Sequence, residues 1–523
     1  MSSKYIFIPI LFLPLLFFKC FPTYQAKKVN TDSLRIGSYS DIQAKVFKAD
    51  NTVILFPAGY SVNDRFIIGE GIIADNNSFR QIKSSIKLPL DSIIAMTDYE
   101  ETTSGGRYFG SFLLGLTGPP LLALGVYCVA CPKCCFGSCP TIYTYDGKDY
   151  NFEAELFSEC ISKQLEDKDI DLLKQKIQDN NYNLKITNEA METHYINKFE
   201  IVVAEHPLGT ELYPAIDNSL LLFSEIINAS AISKDGKDIT NLLQHDDNKF
   251  YRSGVEKVSE LKKGTLSDWI EIKIPAVKNS PSKMLLKYRN TLLSTTLLYN
   301  VVIGSQGAGG LAWTKKMNED AQYASQFKMI YEAFSGVKLT VFEDGIWKTC
   351  GKFKDAGPLS WKYLAAKLPP VKSDTLLIRL EFIPDNFMID YVAFDITSSV
   401  DKITASIVYP CGIMDGSGTR IDSLLNYIKD DDTQYLKTEP GDSYCLNYRI
   451  PAVKSCESTV LIYSKGYYNE WIRGGWISSK DNYTFNLFDI EGTLSELADS
   501  WIENSELLES EFFQSRFSLR EEK

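Results

Sequence analysis

From residue 33 to residue 463 the chain repeats one pattern, short runs of β-branched and aromatic residues set off by turn-forming residues. In the first part the runs are Val46-Phe47, 53–56, 66–68 and 72–74, separated by Asp50-Asn51, Ala58-Gly59, Asn63-Asp64 and Asn76-Asn77. Runs this short and closely spaced predict strands and a small barrel over 30–104. The pattern restarts at 141–145, where Asp146-Gly147 ahead of 150–157 is a hairpin signal, because a type I′ turn needs positive φ at both central residues. Further strands are expected at 182–186, 195–204, 219–223, 269–274, 284–288 and 297–303, within a β-rich unit over 132–305. Only one internal stretch changes period. In 311–334, Trp313, Met317, Ala321, Ala324, Phe327, Ile330 and Phe334 recur every three or four residues, predicting a helical insertion over 306–335.

Strands resume at 337–342, 347–353, 376–382 and 387–394, with Asp344-Gly345 as a turn. The order Trp361, Leu376-Leu-Ile-Arg-Leu-Glu-Phe382 and Met388-Ile-Asp-Tyr-Val-Ala-Phe394 resembles the closing strands of jelly-roll, galactose-binding-like β-sandwiches. A sandwich portion is therefore expected over 336–398 and a further β domain over 399–490. Leu494, Leu497, Trp501, Leu508 and Phe512 then mark an acidic amphipathic helix over 491–523, expected to dock on its own protein. The fold class is mainly β and multidomain.

The 523 residues carry 55 Lys and Arg against 67 Asp and Glu, a net charge of −12, which repels nucleic acid and removes it from the expected partners. Lys4 followed by the uncharged apolar run 5–18 has the layout of a signal peptide over 1–25. That run, broken by Pro9 and Pro14, is too short to cross about 30 Å of hydrocarbon. Cys20 resembles the lipid-attachment cysteine of bacterial lipoproteins, although Phe18 and Lys19 stand where a small residue is usual. The alternative is cleavage near Gln25 or Ala26. The uncharged stretch 108–131 is long enough to span a membrane, while Gly118, Pro119 and Pro120 at its centre favour a buried hairpin.

Of the eleven cysteines, Cys128, Cys131, Cys134, Cys135 and Cys139 crowd together. Their spacing fits no ferredoxin run and lacks the spacer of a two-pair zinc site. In an exported protein disulfides are the expected use, and setting Cys20 aside leaves ten cysteines, an even number.

No catalytic residue and no cofactor are predicted: the chain has three histidines, and no nucleophile elbow, P-loop or H-E-x-x-H. His194 and His206 read as turn or surface residues, and the Gly-rich 305–310 as a joint before the helix. Asp385, Asp390 and Asp430 to Asp432 are acids to watch. Tyr467, Tyr468, Trp471 and Trp476 form a dense aromatic cluster that would stack on a sugar or anchor a protein if exposed.

Cys135-Phe-Gly-Ser-Cys-Pro-Thr141 with Tyr145-Asp-Gly147, then 188–197 ending in His-Tyr-Ile-Asn, Arg289-Asn-Thr-Leu-Leu293 and Tyr468-Asn-Glu-Trp-Ile-Arg473 resemble a family of uncharacterised predicted bacterial envelope proteins. The resemblance implies a β-rich, exported or membrane-attached protein and brings no activity with it. The expected role is non-enzymatic binding or structure in the cell envelope, attached to the outer or inner membrane. Expected partners are membrane lipid and another envelope protein or a glycan. The alternatives are a carbohydrate-binding or glycosidase-like protein using 467–476, and a thiol or metal protein using Cys128 to Cys139.

Overall fold

The computed structural model describes residues 23–29, 34–40, 42–48, 52–56, 59–75 and 83–102, then 139–470 with short gaps, and 498, 501–503 and 505–506. Cys20, the 108–131 stretch, Cys128, Cys131, Cys134, Cys135, Trp471, Trp476 and most of 491–523 lie outside the described residues. No helix among the described residues is long and apolar enough to cross a membrane.

The N-terminal unit has strands β1 (Thr23–Val29), β2 (Gly37–Tyr39), β3 (Ile42–Lys48), β4 (Thr52–Phe56), β5 (Tyr60–Val62), β6 (Phe66–Asp75), β7 (Lys83–Pro89) and β8 (Ile93–Thr102). They form one antiparallel sheet in the order β1-β8-β3-β4-β6-β5-β2, with β7 also on β6. Val46, Phe56, Ile67 and Leu88 fill its core. The path runs from β1 to β2 without closing among the described residues, so an open sheet stands where a small barrel was expected. The last three residues of the expected 1–25 leader, Thr23 to Gln25, lie in β1, opposite Thr102 to Glu100.

The following strands are β9 (Thr141–Tyr145), β10 (Tyr150–Glu155), β11 (Asp167–Leu173), β12 (Asn181–Thr187) and β13 (Glu192–His206). A hairpin, β14 (Glu211–Pro214) and β15 (Leu220–Phe223), leads into β16 (Ser230–Ser233), β17 (Tyr251–Arg252), β18 (Asp268–Pro275) and β19 (Ser282–Asn290). After helices α1 (Gly310–Glu319) and α2 (Ala321–Phe334) come β20 (Val337–Glu343), β21 (Ile346–Phe353), β22 (Lys362–Leu368), β23 (Thr375–Phe382) and β24 (Phe387–Asp395). The last are β25 (Thr404–Val408), β26 (Gly412–Asp415), β27 (Leu436–Thr438), β28 (Ser443–Arg449) and β29 (Glu457–Glu470).

These strands build two nested sandwiches. The inner one packs β16-β18-β23-β20-β21 against β17-β24-β19-β22. The outer one packs β10-β9-β12-β28-β26 against β11-β29-β13-β25, with β27 on β13. The jelly-roll portion expected at 336–398 thus begins at Ser230, since β18 pairs with β23 and β19 with both β22 and β24. The expected separate domain at 399–490 is instead the second half of the outer sandwich, because β28 pairs with β12 and β29 with β13. Sheet pairing is non-local, and sequence spacing carries no record of which run meets which.

β13 is buried on both faces. Phe199, Ile201 and Val203 join the outer core, while Val202 and Ala204 join the inner one. A strand between two cores must be apolar on both sides, which explains its unbroken Ile-Val-Val-Ala. The helical insertion is a pair rather than one helix. It breaks at Asp320, whose carboxylate caps α2 by accepting from the Tyr323 N–H at 3.0 Å. Trp313, Met317, Ala324 and Phe327 then pack into the outer core.

The expected disulfide framework is absent among the described residues: Cys139, Cys160, Cys350, Cys411, Cys445 and Cys456 are all free thiols. Their positions explain it in part, with Cys350 on β21 of the inner sandwich and Cys445 on β28 of the outer one.

Candidate functional site

Two adjoining cavities open where the helical pair meets both sandwiches. The larger is lined by Phe157, Glu159, Cys160, Asp169 and Phe327, among others. The smaller is lined by Cys139, Glu155, Asn290, Leu298 and Tyr468, among others. Ser158, Tyr331 and Asp355 border both.

Asp355 lies just beyond β21 and is held from three directions. Tyr331 Oη on α2 donates at 2.9 Å, Asn290 Nδ2 at the end of β19 at 3.0 Å, and the Gly336 N–H at 2.8 Å. Gly336 has φ +69°, and a Cβ there would meet the Phe353 carbonyl at 2.4 Å, so only glycine makes this approach. Glu159, in the turn after β10, accepts the Asp355 N–H at 2.8 Å. Glu155 accepts the Leu359 and Ser360 N–H groups at 2.7 and 3.2 Å. On the opposite wall Tyr468 Oη donates to the Ser158 carbonyl at 2.9 Å.

Burial disfavours the charged form of each carboxyl. It raises Asp355 despite its donors, and burial together with the Asp355 charge raises Glu159 to about 7. The two acids therefore compete over how much negative charge the cleft holds. Burial also pushes the Cys139 and Cys160 thiols well up, which keeps them protonated. Among the described residues no group of three or more His, Cys, Asp or Glu side chains is placed to hold a metal ion.

Beside the larger cavity, Lys362 on β22 reaches Asp169 at 2.5 Å and Asp171 at 3.1 Å, both on β11. This triad joins the inner sandwich to the outer one. Burial, and then the neighbouring Asp169, raises Asp171 to about 7.

The structure brings together several segments singled out from sequence. Cys139 and Tyr468 line the smaller cavity, and Asn290 of the Arg289-to-Leu293 segment secures its acid. Tyr467 does not offer a stacking face: it is 6% exposed and lies on Tyr195 with ring centroids 4.5 Å apart. Tyr468 is likewise buried. Asp385 is paired with Arg252, Asp390 with Lys287, and Asp431 with Lys465 at 2.5 Å. The histidines read as surface groups are buried. His194 sits in β13 between Glu192 at 2.7 Å and Thr438 at 3.0 Å, and His206 between Thr210 and Thr459. Sequence reasoning missed Glu155, Glu159 and Asp355. Each is an ordinary acid, Glu155 at a strand end and Glu159 and Asp355 in the turns beyond one, and only the approach of segments some 200 residues apart makes a site of them.

No family model matches the chain, and no curated protein matches it. Among solved structures it has a likeness to a GH31 α-xylosidase from Xanthomonas citri, at 9% identity and TM-score 0.16, over 84% of this chain and 35% of that one. The chain thus spans about a third of that enzyme's length. The infectious bursal disease virus VP2 subviral particle gives 7% identity and TM-score 0.14, over 97% and 98% of the two chains. The secreted serine protease VesC from Vibrio cholerae gives 8% and 0.11, over 71% and 74%.

Proposed function

We propose that the chain is a lipid-anchored protein of the bacterial cell envelope that binds its ligand without transforming it, and that the seam cleft is the binding site. Attachment at Cys20 is supported by β1. Cleavage near Gln25 or Ala26 would cut this strand, whereas cleavage ahead of Cys20 leaves all seven of its residues in the chain to pair with β8. The envelope motif segments around Cys139, Asn290 and Tyr468, which the fold draws to one cleft, are consistent with that reading. Intact mass of the chain from the membrane fraction should equal the sequence from Cys20 plus a diacyl or triacyl group. A mass beginning at Gln25 or Ala26 would reject the anchor.

Glu159 and Asp355, positioned by main-chain amides and raised by burial despite Lys352 and Lys354 nearby, carry the binding reading. A primary ammonium group entering the cleft relieves their repulsion, so the ligand class is a polar molecule bearing an amine. Putrescine, lysine and glucosamine are expected to raise the melting temperature at pH 8 where glucose and N-acetylglucosamine do not. Glu159→Gln should abolish the shift. Equal shifts in the variant, or none in the unsubstituted protein, would place the ligand elsewhere.

A second reading rests on Glu159 alone, since a carboxyl raised to about 7 is suited to proton transfer. It requires turnover of a chromogenic glycoside that Glu159→Gln removes.

A further inference from the structure

β25 is the outermost strand of its sheet, paired through Thr404 to Val408 with β13 and, among the described residues, with nothing on its other side. Its first four residues are exposed, including Ile407 at 51%, and Tyr409 just beyond is 47% exposed. Exposed edge strands offer a row of backbone donors and acceptors to any other strand, and soluble proteins usually blunt them with charge, proline or a bulge. Here the chain from Ile403 to Tyr409 reads Ile-Thr-Ala-Ser-Ile-Val-Tyr, without one charge in a protein of net charge −12, and Pro410 follows only at its end.

We propose that this edge joins two copies of the chain, with the β25 strands antiparallel about a two-fold axis through Ser406. The sequence complements itself in that register. Ala405 faces Ile407 of the second copy, Thr404 faces Val408 and Ile403 faces Tyr409, so every pair has a β-branched member and no charge is left to be paired. Side chains alternate across a strand, so one face of the joint carries Ile403, Ala405, Ile407 and Tyr409 from each copy. Ile403 already packs against the inner core, so this apolar stripe continues an existing one. The four-stranded path β11-β29-β13-β25 becomes eight strands across the pair. A foreign strand would find the same backbone groups, but nothing else at this edge selects it.

Light scattering on the full chain in detergent, from about 1 to 100 μM, is expected to show a concentration-dependent dimer. Salt should strengthen it, by screening the repulsion between two chains of net charge −12. Ile407→Lys and Ala405→Lys, both at exposed positions, are each expected to weaken it by at least about tenfold with unchanged circular dichroism. Amides of 404–408 should exchange more slowly as concentration rises. A monomer throughout, or a dimer that both lysines leave intact, would overturn the proposal. Protected amides in a monomer would assign the edge to another strand and overturn it equally.

Discussion

Replacing Trp501 with alanine is expected to destabilise the protein by about 3–5 kcal/mol, the usual range for emptying a large buried aromatic site. Trp501 has no exposed surface and belongs to the outer core, to which Ala498 also contributes. Its indole N–H also donates at 2.7 Å to Asp385, which is itself fully buried. Asp385 stands at φ +61° in the turn ahead of β24 and takes Arg252 Nε at 2.5 Å. One side chain thus fills the outer core and satisfies a carboxylate of the inner sandwich. Trp501→Phe separates the two effects. It keeps most of the apolar contact and removes the donor, for a smaller loss of about 1–3 kcal/mol. Urea unfolding of both variants gives the comparison, and a Trp501→Ala protein within about 0.5 kcal/mol of the original would show that the terminal segment is not anchored there.

Lys362→Ala should be comparably damaging, because removing one partner of a buried ionic group strands the others at about 3–5 kcal/mol. Lys362 is 5% exposed and Asp171 4%, so water cannot replace the lost ammonium. The pH dependence has a definite sign. Asp171 titrates at about 7 in the folded protein against a reference of 3.8. Between these values the folded state binds a proton that the unfolded chain has released, so this contribution favours folding at low pH and is lost as pH rises toward 7. Without Lys362 the folded-state value moves higher still, and the variant's deficit should be larger at pH 8 than at pH 5.5. Equal deficits at both values would mean that Asp171 is hydrated. Adding Asp169→Asn and Asp171→Asn to the Lys362→Met protein should restore much of the loss.

Local rules recovered the elements more reliably than their partners. Asp344-Gly345 turns the chain between β20 and β21 with positive φ at both residues, whereas the turn between β9 and β10 runs through 146–149 with positive φ at Gly147 alone, so a hairpin forms there but not through the expected two-residue type I′ turn. The two-core burial of β13 is also visible in its apolar run, once the reason for such a run is asked. Pairing across 250 residues is not, and it misled the reading at both domain boundaries. His194 shows the same limit. A polar residue at a strand start looks like a surface group until β29 and β27 close over it with Glu192 and Thr438 as its neighbours. The cleft was invisible for this reason: Glu159 and Asp355 acquire meaning only from each other.

The nesting of one sandwich within the other sets an order of events for the newly made chain. Every strand of the inner sandwich lies between Ser230 and Asp395, so it can close as soon as that stretch emerges. β13 precedes it and cannot pair with β29 until some 250 residues later, as the separation of His206 from Thr459 shows. Meanwhile a fifteen-residue strand, with the apolar run Ile201 to Ala204 within it, stands open to other chains. Closure of the long loop is entropically slow, so assembly of the outer sandwich, and with it the cleft, is the late and vulnerable stage of folding.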